Sequence, residues 1–300
     1  MVDKNITRRR FVKTSLVATG ALALPSLNMC TAKQKTATDV VSLGESGIKV
    51  SRLGMGTGTN GGNVQRSMGQ PAFTDMVRYA LDQNITFFDT ADNYRDMHEM
   101  LRQALKGVDR DTIQIQCKIP HGKYENPLQE IDRFRQEVGT DYFDTMLIHC
   151  TRTADWVEEL KSLRDDLDTA KEKGMVRAVG VSMHGLLPFN ATVETDWGDV
   201  RLIRINHNGA HMDGLRGDWR EAGRVPQVVE GIKKMHAAGK GIIGMKLIGN
   251  GDFTDAEVRK QSIEFVMGME AVDAVVIGFK SPQEIDEAIV NMNNGLTQRA

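Results

Sequence analysis

Eight times between residues 52 and 292 this chain runs through a short apolar, β-rich stretch and then an amphipathic stretch of helical period. That rhythm leaves few folds open, because strands separated by helices pair in parallel and need helices over the sheet. The apolar stretches are residues 52–58, 85–89, 112–119, 142–149, 176–182, 200–206, 241–247 and 274–279. The amphipathic ones are 71–83, 96–106, 127–138, 156–173, a weaker 186–195, then 225–238, 255–269 and 282–292. Eight such units in one chain predict an α/β fold, a closed (β/α)8 barrel of the TIM type, which ordinarily takes about 250 residues as one domain. Ahead of them, residues 40–51 read as a β-hairpin turning at Glu45-Ser46-Gly47, so the domain spans 40–300, with 31–39 as a polar linker. The longest connection, residues 206–224, follows a strand and holds His207, His211 and Trp219, which suits a loop that shapes a substrate site.

In a parallel barrel the C-terminal strand ends carry the chemistry. The second strand delivers Phe87-Phe88-Asp89 and then, five positions after the acid, Tyr94. The third ends near Lys118 and the fourth on His149, so an acid, a phenol, an ammonium and an imidazole are brought from successive strand ends toward one mouth. Singly, each has an ordinary structural role as a cap, a half-exposed ring, an ion-pair partner or a core histidine. A net charge of −2 supplies no basic field for nucleic acid, and no apolar run reaches the roughly 18 residues of a membrane span. No Cys/His cluster has zinc spacing.

The set Asp89, Tyr94, Lys118 and His149, with Leu43 to Thr57 and the segment Ile277-Gly278-Phe279-Lys280-Ser281-Pro282, resembles the aldo-keto reductase family. The resemblance covers nearly everything after the first thirty residues. It implies an oxidoreductase that interconverts an aldehyde or ketone with an alcohol by hydride transfer, and a hairpin that plugs the barrel floor. On that resemblance Tyr94 is the proton donor and Lys118 lowers its pKa toward neutrality. Asp89 holds the ammonium in place, and His149 orients the carbonyl oxygen.

The cofactor expected is NADP, with NAD as the alternative. Ser281-Pro282-Gln283-Glu284 is a capping box with proline at the first helical position, and Lys280 beside it adds a cation suited to an extra ribose phosphate. Gly249 and Gly251 suit close backbone approach to the pyrophosphate or simply a turn. Gly56, Thr57 and Ser182 match family positions around the nicotinamide ribose. Four positions depart from the family pattern: Met183, Arg204, Met245 and Ala288 stand where an asparagine, a glutamine, an aromatic and another asparagine are usual. Arg204 is placed among the cofactor contacts, with a phosphate or an anionic substrate as its alternatives.

The first thirty residues are of another kind. Thr7-Arg8-Arg9-Arg10-Phe11-Val12-Lys13, a mildly apolar run from Ser15 to Leu24 and then Pro25 look like a twin-arginine (Tat) export signal, which predicts the Tat translocon as a partner and a periplasmic destination. Lipid attachment at Cys30 is the lesser reading, because Met29 stands where a small residue belongs. Without residues 1–30, which hold five basic side chains and one acid, the charge moves from −2 to −6. Three cysteines make no disulfide framework, and free thiols are expected at Cys117 and Cys150. Two rival readings keep the barrel: a cofactor-binding or redox-sensing subunit that does not turn over, and an aldolase-like site with Lys118 as a Schiff-base lysine.

Overall fold

A computed structural model describes residues 34–298 apart from 213, 216, 217 and 219, so the expected export signal, Cys30 and Trp219 lie outside the described residues. A two-stranded antiparallel hairpin comes first, β1 (Val40–Ser42) with β2 (Lys49–Ser51). The remaining strands are β3 (Leu53–Gly56), β4 (Phe87–Asp89), β5 (Gln114–Pro120), β6 (Phe143–Thr151), β7 (Val176–Met183), β8 (Val200–Arg204), β9 (Gly241–Met245) and β10 (Ala274–Ile277). These eight pair in parallel and close, β10 meeting both β9 and β3. Around them run α1 (Asn63–Ser67), α2 (Gly69–Asp82), α3 (Met97–Ala104), α4 (Pro127–Val138), α5 (Trp156–Glu159), α6 (Lys161–Glu172), α7 (Leu186–Glu194), α8 (Val225–Ala237), α9 (Ala256–Gly268) and α10 (Pro282–Thr297). Among the described residues no helix is long and apolar enough to cross a membrane.

Strand alternation sorts the side chains into two cores. Phe87, Leu147, Ala178, Val200, Leu202, Ile243, Ala274 and Val276 fill the barrel with Leu43, Ile48 and Val50 of the hairpin. Phe88, Cys117, Met146, Ile148, Val179, Ile203 and Ile242 face the helices instead. The same alternation turns Asp89, Lys118, His149, Ser182, Arg204 and Met245 inward at the strand ends, while Met183 belongs to the outer layer. The helices start where the chain supplies caps. Asn126 accepts the Gln129 N–H ahead of Pro127, and Asp255 accepts those of Glu257 and Val258.

The hairpin is the expected plug. The Glu45 N–H donates to Gly239 O (2.8 Å) and Gly44 N–H to Asp273 Oδ2 (3.2 Å), seating the turn on the floor of β9 and β10. Residues 36–39, expected as part of a polar linker, are docked against the barrel domain. Ala37 is fully buried, its N–H donates to Asn293 Oδ1 (2.8 Å) and its carbonyl accepts the Leu53 N–H (2.8 Å).

Other differences are local. The glycine-rich loop after the first strand contains α1, and the expected long fourth helix breaks at Leu160 into α5 and α6. The sixth apolar stretch stops pairing at Arg204, because the Asn206 amide donates to Ala210 O and Lys246 O and accepts the Gly209 N–H, closing a turn. Lys118 is level with Leu147. Cys117 is therefore level with Met146, four residues short of Cys150, which at about 3.3 Å per residue is far beyond bridging reach. Both are free thiols.

Candidate active site

Asp89, at the end of β4, is 5% exposed, and Lys118, on β5, is 1% exposed. Taking an ammonium and a carboxylate out of water is costly unless they pair and every remaining polar atom is satisfied. Here Lys118 Nζ donates to Asp89 Oδ1 (2.5 Å) and to Thr90 O (2.8 Å), and Gln116 Nε2 donates to the same carboxylate oxygen (2.7 Å). Thr145 Oγ1 donates to Gln116 Oε1 (3.0 Å), so three strands fix the pair. Burial opposes the Lys118 charge, but Asp89, and then Tyr94, outweigh it and raise its pKa.

Tyr94 ends a short 3-10 turn, Asp92–Tyr94, just past β4. Its ring lies 5.0 Å from Lys118 Nζ and meets His149 edge-on at 5.7 Å between centroids. Gly58 makes the room: a Cβ there would stand 2.3 Å from Tyr94 Cζ and 2.5 Å from its hydroxyl oxygen. Burial pushes the phenol up to about 12, with Asp89 adding to the rise and Lys118 pulling the other way. Loss of solvent thus outweighs the pull of an ammonium already matched by Asp89. At neutral pH Tyr94 is protonated, which is the form a proton donor needs.

His149, at the upper end of β6, is 7% exposed and held neutral by burial, then by Lys118, Lys246, His121 and Arg204. Its Nδ1 is buried with no partner among the described residues. A buried orphan lone pair is less costly than a buried orphan N–H, so the ring proton is assigned to Nε2. Just beyond, β6 bulges against β7: Cys150 has φ 61°, its N–H donates to Ser182 Oγ (3.0 Å), and its Sγ lies 3.1 Å from His184 Nε2. Ser182, expected at the nicotinamide, therefore also shapes the turn that follows His149.

Two clefts open here. One, of about 70 Å³, is lined by Gly56, Gly58, Asp89, Tyr94, Met245 and Lys246. The other, of about 250 Å³, is lined by Phe253, Arg259, Lys280, Glu284 and Glu287. Both include Thr59, Ile248, Ile277 and Gly278, so the groove is continuous from Tyr94 to the start of α10. Gly249, Asn250 and Gly251 turn beside it with φ of 57°, 58° and 99°. Thr57 is buried, its Oγ1 donating to Asp89 O (3.0 Å). At α10, Ser281 Oγ accepts the Glu284 N–H (3.4 Å), while Glu284 Oε2 accepts the N–H of Lys280 (2.7 Å). Arg259 is held by Glu287 through two bonds of 2.6 and 2.8 Å. Ala288, on the inner face of α10, is 3% exposed. The structure thus brings the four catalytic candidates together and sets Lys280 and Ser281 at the far end of the same groove.

Lys246 is the group that sequence reading passed over. It was counted inside an apolar strand, but β9 ends at Met245, and the residue after it has φ 66° with its Nζ donating to Asn250 Oδ1 (2.5 Å). A lysine closing an otherwise apolar strand was the available signal.

A sequence model of the aldo/keto reductase family matches residues 52–264. The chain belongs to that family. Over 160 residues it is 28% identical to the aldo-keto reductase YhdN of Bacillus subtilis, an alignment covering 48% of this chain and 46% of that protein. The chain spans about half the length of the curated relatives it matches. Among solved structures, a protein described as an aldo-keto reductase from Pseudomonas aeruginosa superposes with TM-score 0.70 at 21% identity, covering 88% of this chain and 98% of that one. An aldo-keto reductase from Klebsiella pneumoniae in complex with NADP and acetate superposes with TM-score 0.61 at 16% identity, over 84% of this chain and 89% of that one. At those identities the likeness speaks to the aldo-keto reductase barrel.

Proposed function

We propose that this aldo-keto reductase is an NADP(H)-dependent oxidoreductase that reduces an aldehyde or ketone to the alcohol, or runs the reverse, with Tyr94 as proton donor. The observation that carries the reading is the convergence of Tyr94 on the buried Asp89–Lys118 pair and on a neutral His149 at one mouth.

The residues fit a dinucleotide. A continuous groove leads from Tyr94 to the first turn of α10, where the Lys280 ammonium and a helix N-terminus suit a ribose phosphate. Gly251 lines the outer cleft and Gly56 the inner one, and Thr57, Ser182 and Gly249 are the remaining contacts the reading expects. Glu284, which accepts the Lys280 N–H, has to turn away for a phosphate to use that donor. When bound, the cofactor supplies the hydride. The chain does the rest. His149 Nε2–H and the Tyr94 hydroxyl donate to the carbonyl oxygen and point the carbonyl carbon at the groove. As negative charge builds on that oxygen Tyr94 gives up its proton, and the Lys118 charge, fixed by Asp89, stabilises the phenolate left behind.

The test is steady-state NADPH oxidation with a panel of simple aldehydes. Tyr94→Phe should lower kcat at least about a hundredfold, the lower range for a lost general acid, with the Kd for NADPH little changed. Equal rates in both proteins would refute Tyr94 as donor. Tight NADPH binding without turnover of any carbonyl would favour the cofactor-binding subunit.

We further propose that residues 1–30 direct twin-arginine export and that the barrel works in the periplasm. The support is the run Thr7-Arg8-Arg9-Arg10-Phe11 with the mildly apolar stretch behind it. A variant carrying Arg8→Lys and Arg9→Lys should stay in the cytoplasmic fraction. Its appearance in the periplasm would remove the assignment.

A further inference from the structure

Three of the four groups at the mouth sit within strands, where the ladder of the barrel holds them: Asp89 on β4, Lys118 on β5 and His149 on β6. Tyr94 does not. It ends the turn Asp92–Tyr94 beyond β4, and the next residue, Arg95, has φ 54°, a conformation that persists in a non-glycine residue only where its surroundings impose it. A reacting group on a loop has to be held to within about 0.5 Å by contacts of its own, so whatever anchors this turn bears on the chemistry.

One anchor acts on the backbone: Arg66 of α1 donates from Nη1 to Tyr94 O (2.8 Å) and to Gly61 O (3.0 Å). The other begins at Asp92, whose side chain is only 6% exposed. Arg133 Nη2 of α4 donates to its Oδ1 (2.9 Å), while Lys123 Nζ (2.8 Å) and the Tyr124 hydroxyl donate to its Oδ2. Burial opposes the charge, but these donors outweigh it and hold the Asp92 carboxyl below the usual carboxylate range. The donors are themselves fixed. Arg133 also donates to Glu130 (2.8 Å) and to Glu137, and its guanidinium lies 4.7 Å from the centre of the Phe134 ring. Glu137 reaches on to His98 Nδ1 (2.8 Å) near the start of α3, and the Tyr124 ring meets Phe134 edge-on at 6.2 Å. A continuous set of contacts thus ties the turn that carries Tyr94 to α3, to α4 and to the loop between β5 and α4. These side chains lie outside the two clefts that form the groove.

We propose that Asp92 is a positioning residue: with Arg133, Lys123 and Tyr124 it clamps the turn and so fixes the Tyr94 hydroxyl at the barrel mouth. The consequence for rate rests on Tyr94 being the proton donor, and the clamp itself on the contacts alone. A carboxylate offers the three donors nothing but acceptor oxygens, whereas a carboxamide turns an NH2 group toward some of them. Asp92→Asn therefore keeps the size of the side chain and breaks the clamp.

The experiment measures kcat for NADPH-dependent reduction of 4-nitrobenzaldehyde and the Kd for NADPH. It uses the full chain, unmodified and with Asp92→Asn, Lys123→Met, Tyr124→Phe, Tyr94→Phe, and Asp92→Asn combined with Tyr94→Phe. Asp92→Asn should lower kcat at least about tenfold while the Kd moves less than about threefold, because a donor misplaced by about 1 Å already costs about a hundredfold. Lys123→Met and Tyr124→Phe each remove one donor of three and should lose less. In the Tyr94→Phe background Asp92→Asn should cost less than about twofold. Hydrogen exchange, read by mass spectrometry with NADPH present, should quicken at least about fivefold over residues 90–97 in Asp92→Asn and stay unchanged over β8. Full kcat in Asp92→Asn beside a lost rate in Tyr94→Phe would overturn the proposal and leave the donor reading standing. A loss of the same size in both backgrounds would also overturn it, since the effect would not run through Tyr94. If Tyr94→Phe instead keeps the unmodified rate, the donor reading falls and exchange decides the clamp: quicker exchange over 90–97 in Asp92→Asn upholds it, and unchanged exchange overturns it.

Discussion

Gly58 touches no substrate in the scheme above, yet its lack of a side chain should decide where the proposed proton donor sits. A Cβ built there falls 2.3, 2.4 and 2.5 Å from Tyr94 Cζ, Cε2 and the hydroxyl oxygen. Carbon atoms rest at about 3.5–4.0 Å, so Gly58→Ala must displace the phenol by more than about 1 Å. The ring is the end of a side chain and can yield where backbone could not, so folding should survive while the proton donor moves. A misplacement of about 1 Å costs roughly a hundredfold in rate, or about 2.7 kcal/mol at 1.36 kcal/mol per decade. The backbone of Gly58 is not left-handed, and alanine also reduces the freedom of the unfolded chain by about 0.4–1 kcal/mol. The melting temperature should therefore move by only a few degrees. The assay is kcat for NADPH-dependent aldehyde reduction in four proteins, namely unmodified, Gly58→Ala, Tyr94→Phe and the double variant. Gly58→Ala should lose about a hundredfold alone and almost nothing in the Tyr94→Phe background. More than a third of the activity retained by Gly58→Ala would refute the reasoning, as would full additivity in the double variant.

Lys118→Met leaves the Asp89 carboxylate buried beside one amide, and should cost about 3–5 kcal/mol in urea unfolding, part of it recovered on adding Asp89→Leu. His149 takes up its proton in the unfolded chain near pH 6.5 but not in the native one, so its contribution to stability is full above pH 6.5 and falls as pH drops below it, by about 1.4 kcal/mol per unit. The difference in unfolding free energy between the unmodified protein and His149→Asn, followed from pH 7 to 5, should show that slope; parallel curves would contradict it. At α10, Lys280→Met should weaken NADPH binding well beyond NADH binding, and Glu284→Gln should strengthen NADPH selectively by removing a carboxylate from the Lys280 N–H; fluorescence titration of both nucleotides reads each ratio.

The barrel was legible because its causes are local. Apolar stretches of strand length, capping residues such as Asn126, Asp255 and Ser281, and the alternation that separates Cys117 from Lys118 all lie within a few residues of one another. The convergence of the candidate residues was legible for a related reason, since strand ends of a parallel barrel share one mouth and the chain marks them with Asp89, Lys118 and His149. What stayed hidden depends on distant contacts. The weight of burial on Tyr94 was hidden because the room its ring fills is made by Gly58, on a different strand-end loop. Lys246 was hidden because a left-handed lysine is not written in the residue type, and a strand continued through it would have faced it outward. The docking of residues 36–39 was hidden because one partner, Asn293, lies 256 positions from Ala37.

That last contact also bears on how the molecule comes into being. The barrel closes only when β10 pairs with β3, and its floor is completed only when α10 reaches back to the stretch ahead of the hairpin. A chain emerging from the ribosome therefore holds its first strands for most of its synthesis with no neighbour on one edge. Pairings of such sequence separation are slow to form and expose unpaired edges while they wait. Truncation before residue 293 should thus yield an aggregating intermediate in place of a smaller working barrel, and the contact of Ala37 with Asn293 acts as a clasp on the floor of the barrel, away from the mouth.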